Sequence, residues 1–374
     1  MKPVFAFLLL PQFFLFLRGQ GNRLQGGWDI PAHKIEVDFN LLRSVLAAFS
    51  GATGHVGYAL VKELEARGEN FRILIRKDSK IFDGINCERV FGDVTDPASL
   101  EKAFEGADVV YHLAGVIEIN KGNEDMTWKV NVDGTKNVVE ACKKCGVKRL
   151  VYASSVDAYP PLPDNQVMRE ISHFNPEILD GTYAKTKATA TNYVFENNDD
   201  KLETVVCYPG ACCGPYDFKV SSVGEMVRMF LKGKFPVSLS FGAYNFVDVR
   251  DVAKGMIGAA EKGRPGEGYI LTDEVVTVDQ LIHMLADICG FKAPSLKISL
   301  GLANAFAPLM EVYYNAAKKT PLFTRYSIRK LTSNCNFSCE KAKEELGYAP
   351  MGAKQSFTDM VAWIKEYEGT GKKK

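Results

Sequence analysis

The sequence predicts an α/β protein: a doubly wound parallel sheet followed by a smaller, mainly helical C-terminal lobe. Three observations carry that prediction. Short, almost continuously apolar runs alternate with helical segments from Ser44 onward, the pattern of βαβ units whose strands are covered by helices on both faces. A glycine-rich turn stands between the first such run and the first helix. After about Asp200 the alternation loosens, and the remainder to about Gly347 reads mainly as helix.

Residues 1–40 read as an N-terminal extension. Pro3 to Leu17 is uncharged and mostly apolar, but Pro11 and Gln12 interrupt it, and it falls short of the roughly 20 apolar residues of a bilayer helix. Its charged start and short apolar stretch suit a secretory signal or membrane-surface anchor, yet Leu17-Arg18-Gly19-Gln20-Gly21 is a poor cleavage site. The globular pattern starts cleanly near Leu42, so the extension is read as lying outside the working protein. Membrane contact is expected only if that segment acts as an anchor.

Strands are expected over 45–49, 71–75, 107–111 and 149–153, with a shorter run before Gly92. Between the first two, Val56, Leu60 and Leu64 share one helix face. Residues 41–205 therefore form the sheet domain. A strand over 204–208, a helix over 223–231, strands over 245–249 and 268–271, and helices over 251–260 and 278–289 follow. Residues 206–350 read as a lobe whose segments interleave with the last sheet strands. Residues 351–374 read as a C-terminal helix ending in the solvated tail Lys372, Lys373 and Lys374.

Forty-six Lys and Arg against 45 Asp and Glu leave a formal charge of +1, without the basic excess of a nucleic-acid binder. No nucleic-acid partner is expected. Nine cysteines, an odd number spread over 374 residues, disfavour a disulfide framework and point to a reducing, cytoplasmic compartment. The alternative is membrane association or export through residues 1–20. Cys142 and Cys145, with Cys335 and Cys339, read as ordinary thiols because no His stands near them, so no metal site is expected.

Gly51-Ala52-Thr53-Gly54-His55-Val56-Gly57 has the spacing of a dinucleotide fingerprint directly after a strand and opening a helix. Glycine permits the tight turn, close approach of backbone to a pyrophosphate and packing of helix on strand. The context makes the sheet domain a dinucleotide-binding Rossmann unit, with Thr53, His55 and Val56 inside the phosphate turn. After the second strand an NAD enzyme would carry an acid; this chain has Arg76, whose planar fork suits a 2′-phosphate. NADP(H) is therefore expected over NAD(H). Asp93 and Val94 follow the third run, where the carboxylate can receive an adenine amino group or cap the helix starting near Pro97. Leu113, Ala114 and Gly115 end the fourth strand, small enough to let a cofactor approach. His112 has no visible partner and reads as a packed histidine.

Tyr183 and Lys187, at i and i+4, share one helix face. An ammonium there is expected to lower the tyrosine from its usual value near 10 toward the range of general acid and base work. Ser154 and Ser155 end the fifth strand, at the sheet edge where ligands bind, and can donate to a carbonyl oxygen.

With Asn131-Val132, Gly134-Thr135, Pro209-Gly210 and Phe246-Val247-Asp248-Val249 before Asp251-Val252-Ala253, these residues make the chain from about Leu42 to Gly347 resemble an extended short-chain dehydrogenase/reductase. That branch includes sugar-nucleotide epimerases and dehydratases, dihydroflavonol reductases and 3β-hydroxysteroid dehydrogenases. The resemblance implies that Tyr183 is the acid/base, that Lys187 lowers its pKa and holds the nicotinamide ribose, and that Ser155 polarises the carbonyl. It also implies that Asn131, Pro209 and Gly210 border the cofactor; the family often dimerises, which makes a homodimer a candidate and leaves the oligomeric state open. Ser155-Val156-Asp157 lacks the carboxyl pair of the family's dehydratases. Tyr208 and Cys213 replace the family's usual Arg and Tyr around Pro209-Gly210, and Cys212 and Cys213 are candidates to face substrate or to be buried thiols.

The expected activity is an NADP(H)-dependent oxidoreductase that interconverts a ketone or aldehyde and an alcohol. The rivals are a nucleotide-sugar epimerase that retains NAD and a non-catalytic dinucleotide sensor. Phe306, Met310, Tyr313, Tyr314 and Phe323 form an aromatic and apolar stripe that is core or, if it lines a cavity, suits a bulky apolar substrate.

Overall fold

The chain begins with elements that mostly alternate: β1 (Leu46–Ser50), α1 (His55–Arg67), β2 (Asn70–Ile75), β3 (Glu88–Phe91), α2 (Pro97–Phe104), β4 (Val109–His112), α3 (Glu124–Trp128), α4 (Gly134–Cys145), β5 (Arg149–Ala153), α5 (Thr182–Glu196) and β6 (Glu203–Pro209). There follow β7 (Ala211–Cys213), α6 (Ser222–Leu231), β8 (Ser238–Leu239), β9 (Ala243–Asp248), α7 (Val249–Lys262), β10 (Glu267–Leu271), β11 (Glu274–Thr277), α8 (Val278–Cys289), β12 (Lys297–Ile298), α9 (Leu300–Ala317), α10 (Arg325–Thr332), α11 (Glu340–Leu346) and α12 (Ala353–Gly371). This computed structural model describes residues 45–371 except 118–122, 165, 234, 236 and 318–324. The 1–40 extension and the Lys372, Lys373, Lys374 tail lie outside the described residues.

Seven parallel strands form the main sheet in the order β10-β6-β5-β4-β1-β2-β3. The order reverses between β1 and β4, and such a switch point opens a crevice at the carboxyl ends of the strands. The strands are nearly all apolar because both faces are covered. On one face Leu60 and Leu64 of α1 and Val252 and Met256 of α7 pack against Phe49 and Val151. On the other, Leu100 and Phe104 of α2, Val138 of α4 and Val194 of α5 pack against Val110 and Tyr152.

Polar residues set the element ends. β4 begins at Val109, two residues later than expected, because the Asp108 carboxylate accepts the Leu46 N–H at 3.3 Å and turns the chain there. α2 is capped by Asp96, which accepts the Ala98 N–H at 3.2 Å, so the capping alternative for Asp93 does not hold. Three residues upstream, Asp93 accepts instead from the Thr95 N–H and hydroxyl, at 2.9 and 2.8 Å.

Beyond β6, a smaller sheet of order β11-β9-β7 packs with α6, α8 and α12 around Phe246, Leu281 and Phe357. β10 returns to pair with β6 in the main sheet, so later segments interleave with the first half. Phe306 of the apolar stripe is 52% exposed, because Ala303 and Ala307 face the neighbouring elements instead. The side chains of Met310, Tyr313 and Tyr314, and Phe323, lie outside the described residues. All nine cysteines are free. Among the described residues there is no cluster of three metal-ligating side chains, and no helix is long and apolar enough to cross a membrane.

Candidate active site

The glycine turn lies at the switch point. Gly51 has φ +83°, and a side chain there would stand 2.6 Å from the backbone of Leu113 and Ala114. Only glycine lets the turn close against the end of β4. A Cβ on Gly57 would lie 2.2 Å from the Gly51 carbonyl oxygen, so the first turn of α1 sits directly on the loop. Gly54 precedes α1 with no side-chain cap and no acid in the first turn, which leaves N–H groups and the positive end of the helix dipole available to an anion. Gly57→Ala is therefore expected to displace the turn, lowering Tm by several degrees and weakening dinucleotide binding at least about tenfold. Calorimetric titration and a melting curve test this.

Arg76 follows β2 directly. It is 77% exposed, with Nε 3.9 Å from Asp93 Oδ2, so most of its fork faces solvent beside the turn. Val56 packs partly into the core, and Val94 is buried against Gly134 with its carbonyl held by Asn137 Nδ2 at 3.0 Å. The side chains of these two residues face inward. The imidazole of His55 turns away from the loop and donates from Nε2 to the Pro215 carbonyl at 2.8 Å.

Asn131 lies in a π-helical turn, Lys129–Asp133, between α3 and α4, a distortion that often accompanies functional sites. Its Oδ1 accepts the Val116 N–H at 2.8 Å, and its Nδ2 donates to the Val116 carbonyl and to Thr186 Oγ1. The loop after β4 is thus tied to α5. His112 proves to have two partners, which sequence distance concealed. Thr135 Oγ1 spends its proton on the Asn131 carbonyl at 2.6 Å, so it accepts from His112 Nε2 at 2.9 Å, and Nδ1 accepts from Ser50 Oγ at 2.7 Å. Burial, then the charge of Lys187, pushes His112 down to about 3. It is a neutral strut between β1, β4 and α4.

On α5, Tyr183 is half-buried, and the Ser155 hydroxyl, which accepts the Asp157 N–H at 3.1 Å, acts to lower the pKa of its phenol. Ser154 points elsewhere, bonded to Thr191 Oγ1 at 2.7 Å. The expected pairing of Lys187 with the phenol is not what the structure shows. Lys187 Nζ donates to the Ala153 carbonyl at 2.7 Å and to Tyr152 Oη at 3.4 Å, and a Cβ on Gly115 would lie 3.4 Å from Nζ. The i, i+4 spacing sets a shared face, but the long side chain reaches past Tyr183 to the unpaired carbonyl at the end of β5. Burial and then the Asp157 carboxylate raise Tyr183 above its ordinary value, and Ser155 only partly opposes them. Burial also lowers Lys187 to about 7.

Beside Ser155 opens a cavity of about 290 Å³ whose walls include Pro160, Pro161, Met168, Leu179, Gly210 and Phe337. Asp157 and Lys330 face it as an ion pair at 2.7 Å. Cys213 and Tyr208 are fully buried; Cys212 is half-buried, and its Sγ lies 3.5 Å from the Gly210 carbonyl. Tyr152 and Lys330 were not singled out in the sequence. Tyr152 is one aromatic in an apolar strand, Lys330 lies 173 residues from the aspartate it pairs with, and neither carries a local signal.

Residues 48–271 match the model of the NAD dependent epimerase/dehydratase family. The chain is 34% identical over 326 residues to sterol demethylase protein B of Methylococcus capsulatus, covering 85% of this chain and 97% of that protein. It is 27% identical over 324 residues to a 3-beta-hydroxysteroid dehydrogenase of Mycolicibacterium neoaurum, covering 81% and 86%. Among solved structures, that of gox2253 superposes with a TM-score of 0.76 at 31% identity, over 87% of this chain and 99% of that one.

Proposed function

The chain belongs to the NAD-dependent epimerase/dehydratase family, and on that premise we propose that it is an NADP(H)-dependent oxidoreductase interconverting a ketone and an alcohol on a bulky, apolar, steroid-like substrate. One observation carries the reading: Ser155, whose hydroxyl lowers the pKa of the Tyr183 phenol, also lines the cavity. On this reading the Ser155 hydroxyl at the cavity wall would donate a hydrogen bond to the substrate and the Tyr183 phenol would supply the proton.

The residues fit a dinucleotide, since the cradle at Gly51 and Gly57 has no room for a side chain and the first turn of α1 is uncapped. Gly51, Gly54 and Gly57 would hold the pyrophosphate, Arg76 the 2′-phosphate, Asp93 the adenine, and Asn131 and Lys187 the ribose side. When bound, the nicotinamide supplies or accepts the hydride. Ser155 would donate a hydrogen bond to the substrate oxygen and Tyr183 would deliver the proton to it. Burial keeps the phenol protonated, the form that reduction needs.

The pH dependence follows. The reductive kcat should hold to about pH 9, while the oxidative kcat, which needs phenolate, should rise with pH over the same range. A reductive rate falling with an apparent pKa near that of Lys187, about 7, would make that ammonium the acid instead.

The steroid class is supported by a cavity wall that is mainly apolar around the Asp157–Lys330 pair, and by the sterol and hydroxysteroid enzymes among the relatives. The test is a panel of steroid, flavonoid and small ketones assayed for NADPH and NADH consumption. Consumption of NADPH with a steroid ketone, at least about tenfold above NADH, is expected. Turnover of a nucleotide sugar without net redox change would overturn the reading.

A further inference from the structure

We propose that Lys219, carried from the C-terminal half of the chain on the segment Pro215 to Val220, is a specificity-determining ligand for the cofactor 2′-phosphate, gripping it opposite Arg76. This rests on the NADP(H) reading above and adds a residue that belongs to no motif. Lys219 Nζ donates to Thr53 Oγ1 at 2.8 Å, so a cation from 166 residues away stands against the outside of the phosphate turn.

The segment is built to hold that position. His55, the first residue of α1, donates to the Pro215 carbonyl at 2.8 Å. The Tyr216 and Phe218 rings pack on Tyr58 of the same helix, at 5.2 and 5.0 Å between centroids. Asp217 is buried, bonded to Arg228 at 2.9 Å and to the Ser221 N–H at 2.8 Å. Tyr216 and Val220 both have positive φ, 74° and 51°, a conformation that is strained for non-glycine residues and persists only where the surroundings impose it. The backbone is bent at both ends, and Lys219 lies between the bends.

The electrostatics point the same way. Partial burial and then the charge of Arg76 lower the pKa of Lys219, so the two cations are close enough to repel. The acid facing Arg76 is Asp93, at 3.9 Å. A dianionic phosphate between the cations would relieve that repulsion, and Thr53, which accepts from Lys219, keeps its own hydroxyl proton for a phosphate oxygen. The pyrophosphate is common to NADPH and NADH, so a contact to it would affect both cofactors alike.

The experiment is fluorescence titration of the full-length protein and its Lys219→Gln and Lys219→Arg variants with NADPH, NADH and 2′,5′-ADP, with melting curves as the fold control. Lys219→Gln is expected to weaken NADPH and 2′,5′-ADP at least about tenfold and NADH less than twofold, with Lys219→Arg close to the parent. Parallel losses for NADPH and NADH would make Lys219 a pyrophosphate or structural residue and overturn the inference. A parent that prefers NADPH with a Lys219→Gln variant that binds it equally well overturns this inference alone. A parent that does not prefer NADPH overturns the cofactor assignment itself and this inference with it.

Discussion

Tyr183→Phe is expected to lower the reductive kcat by about 10³-fold, within the range for loss of a positioned general acid, while the Kd for NADPH changes by less than about twofold. The substitution removes one oxygen from a half-buried ring and leaves α5 and Lys187 in place. Ser155 would still bind the substrate oxygen, so KM should move far less than kcat. A variant that kept more than about a tenth of the parent rate would assign the proton to another group.

Lys187→Met separates function from stability. Burial holds Lys187 at about 7, against 10.5 for a free lysine. Between those values the unfolded chain keeps a proton that the folded chain has released, so stability rises with pH across that window. The penalty is largest below pH 7, where the ammonium is charged in both states. Its upper bound is about 5 kcal/mol; the lost bond to the Ala153 carbonyl offsets about 1 kcal/mol. Methionine fills a similar volume without charge, so Tm should rise by roughly 5 °C near pH 6 and by less near pH 10, while kcat falls about 10²-fold or more. Melting curves at both pH values decide it: a variant less stable than the parent throughout, or a gain that does not shrink with pH, would contradict the account.

The parallel sheet was legible because both its signals are local. Apolar runs between helical patterns, and glycine at 51, 54 and 57, need no knowledge of distant partners. Helix α8 falls at the predicted residues because Thr277, at its N-cap, and Gln280, in its first turn, form a capping box. The site was legible only as a set of residue types. Spacing put Tyr183 and Lys187 on one face, but the direction of the lysine depended on the Ala153 carbonyl, 34 residues earlier. The His112 strut and the Lys219 contact likewise join residues far apart in the chain, where a lone polar side chain looks like surface or core. Tertiary contacts, not propensities, decide those positions.

On this reading Tyr183 would protonate a carbonyl oxygen whose carbon takes the hydride that a bound nicotinamide supplies. The most direct measurement is reduction of the best ketone from the panel with NADPH deuterated at the transferring C4 position, analysed by mass spectrometry and NMR. The account predicts one deuterium at the carbinol carbon for each NADPH oxidised, and loss of that turnover in Tyr183→Phe. Deuterium that stays in the cofactor while the substrate is inverted without net oxidation of NADPH would contradict it.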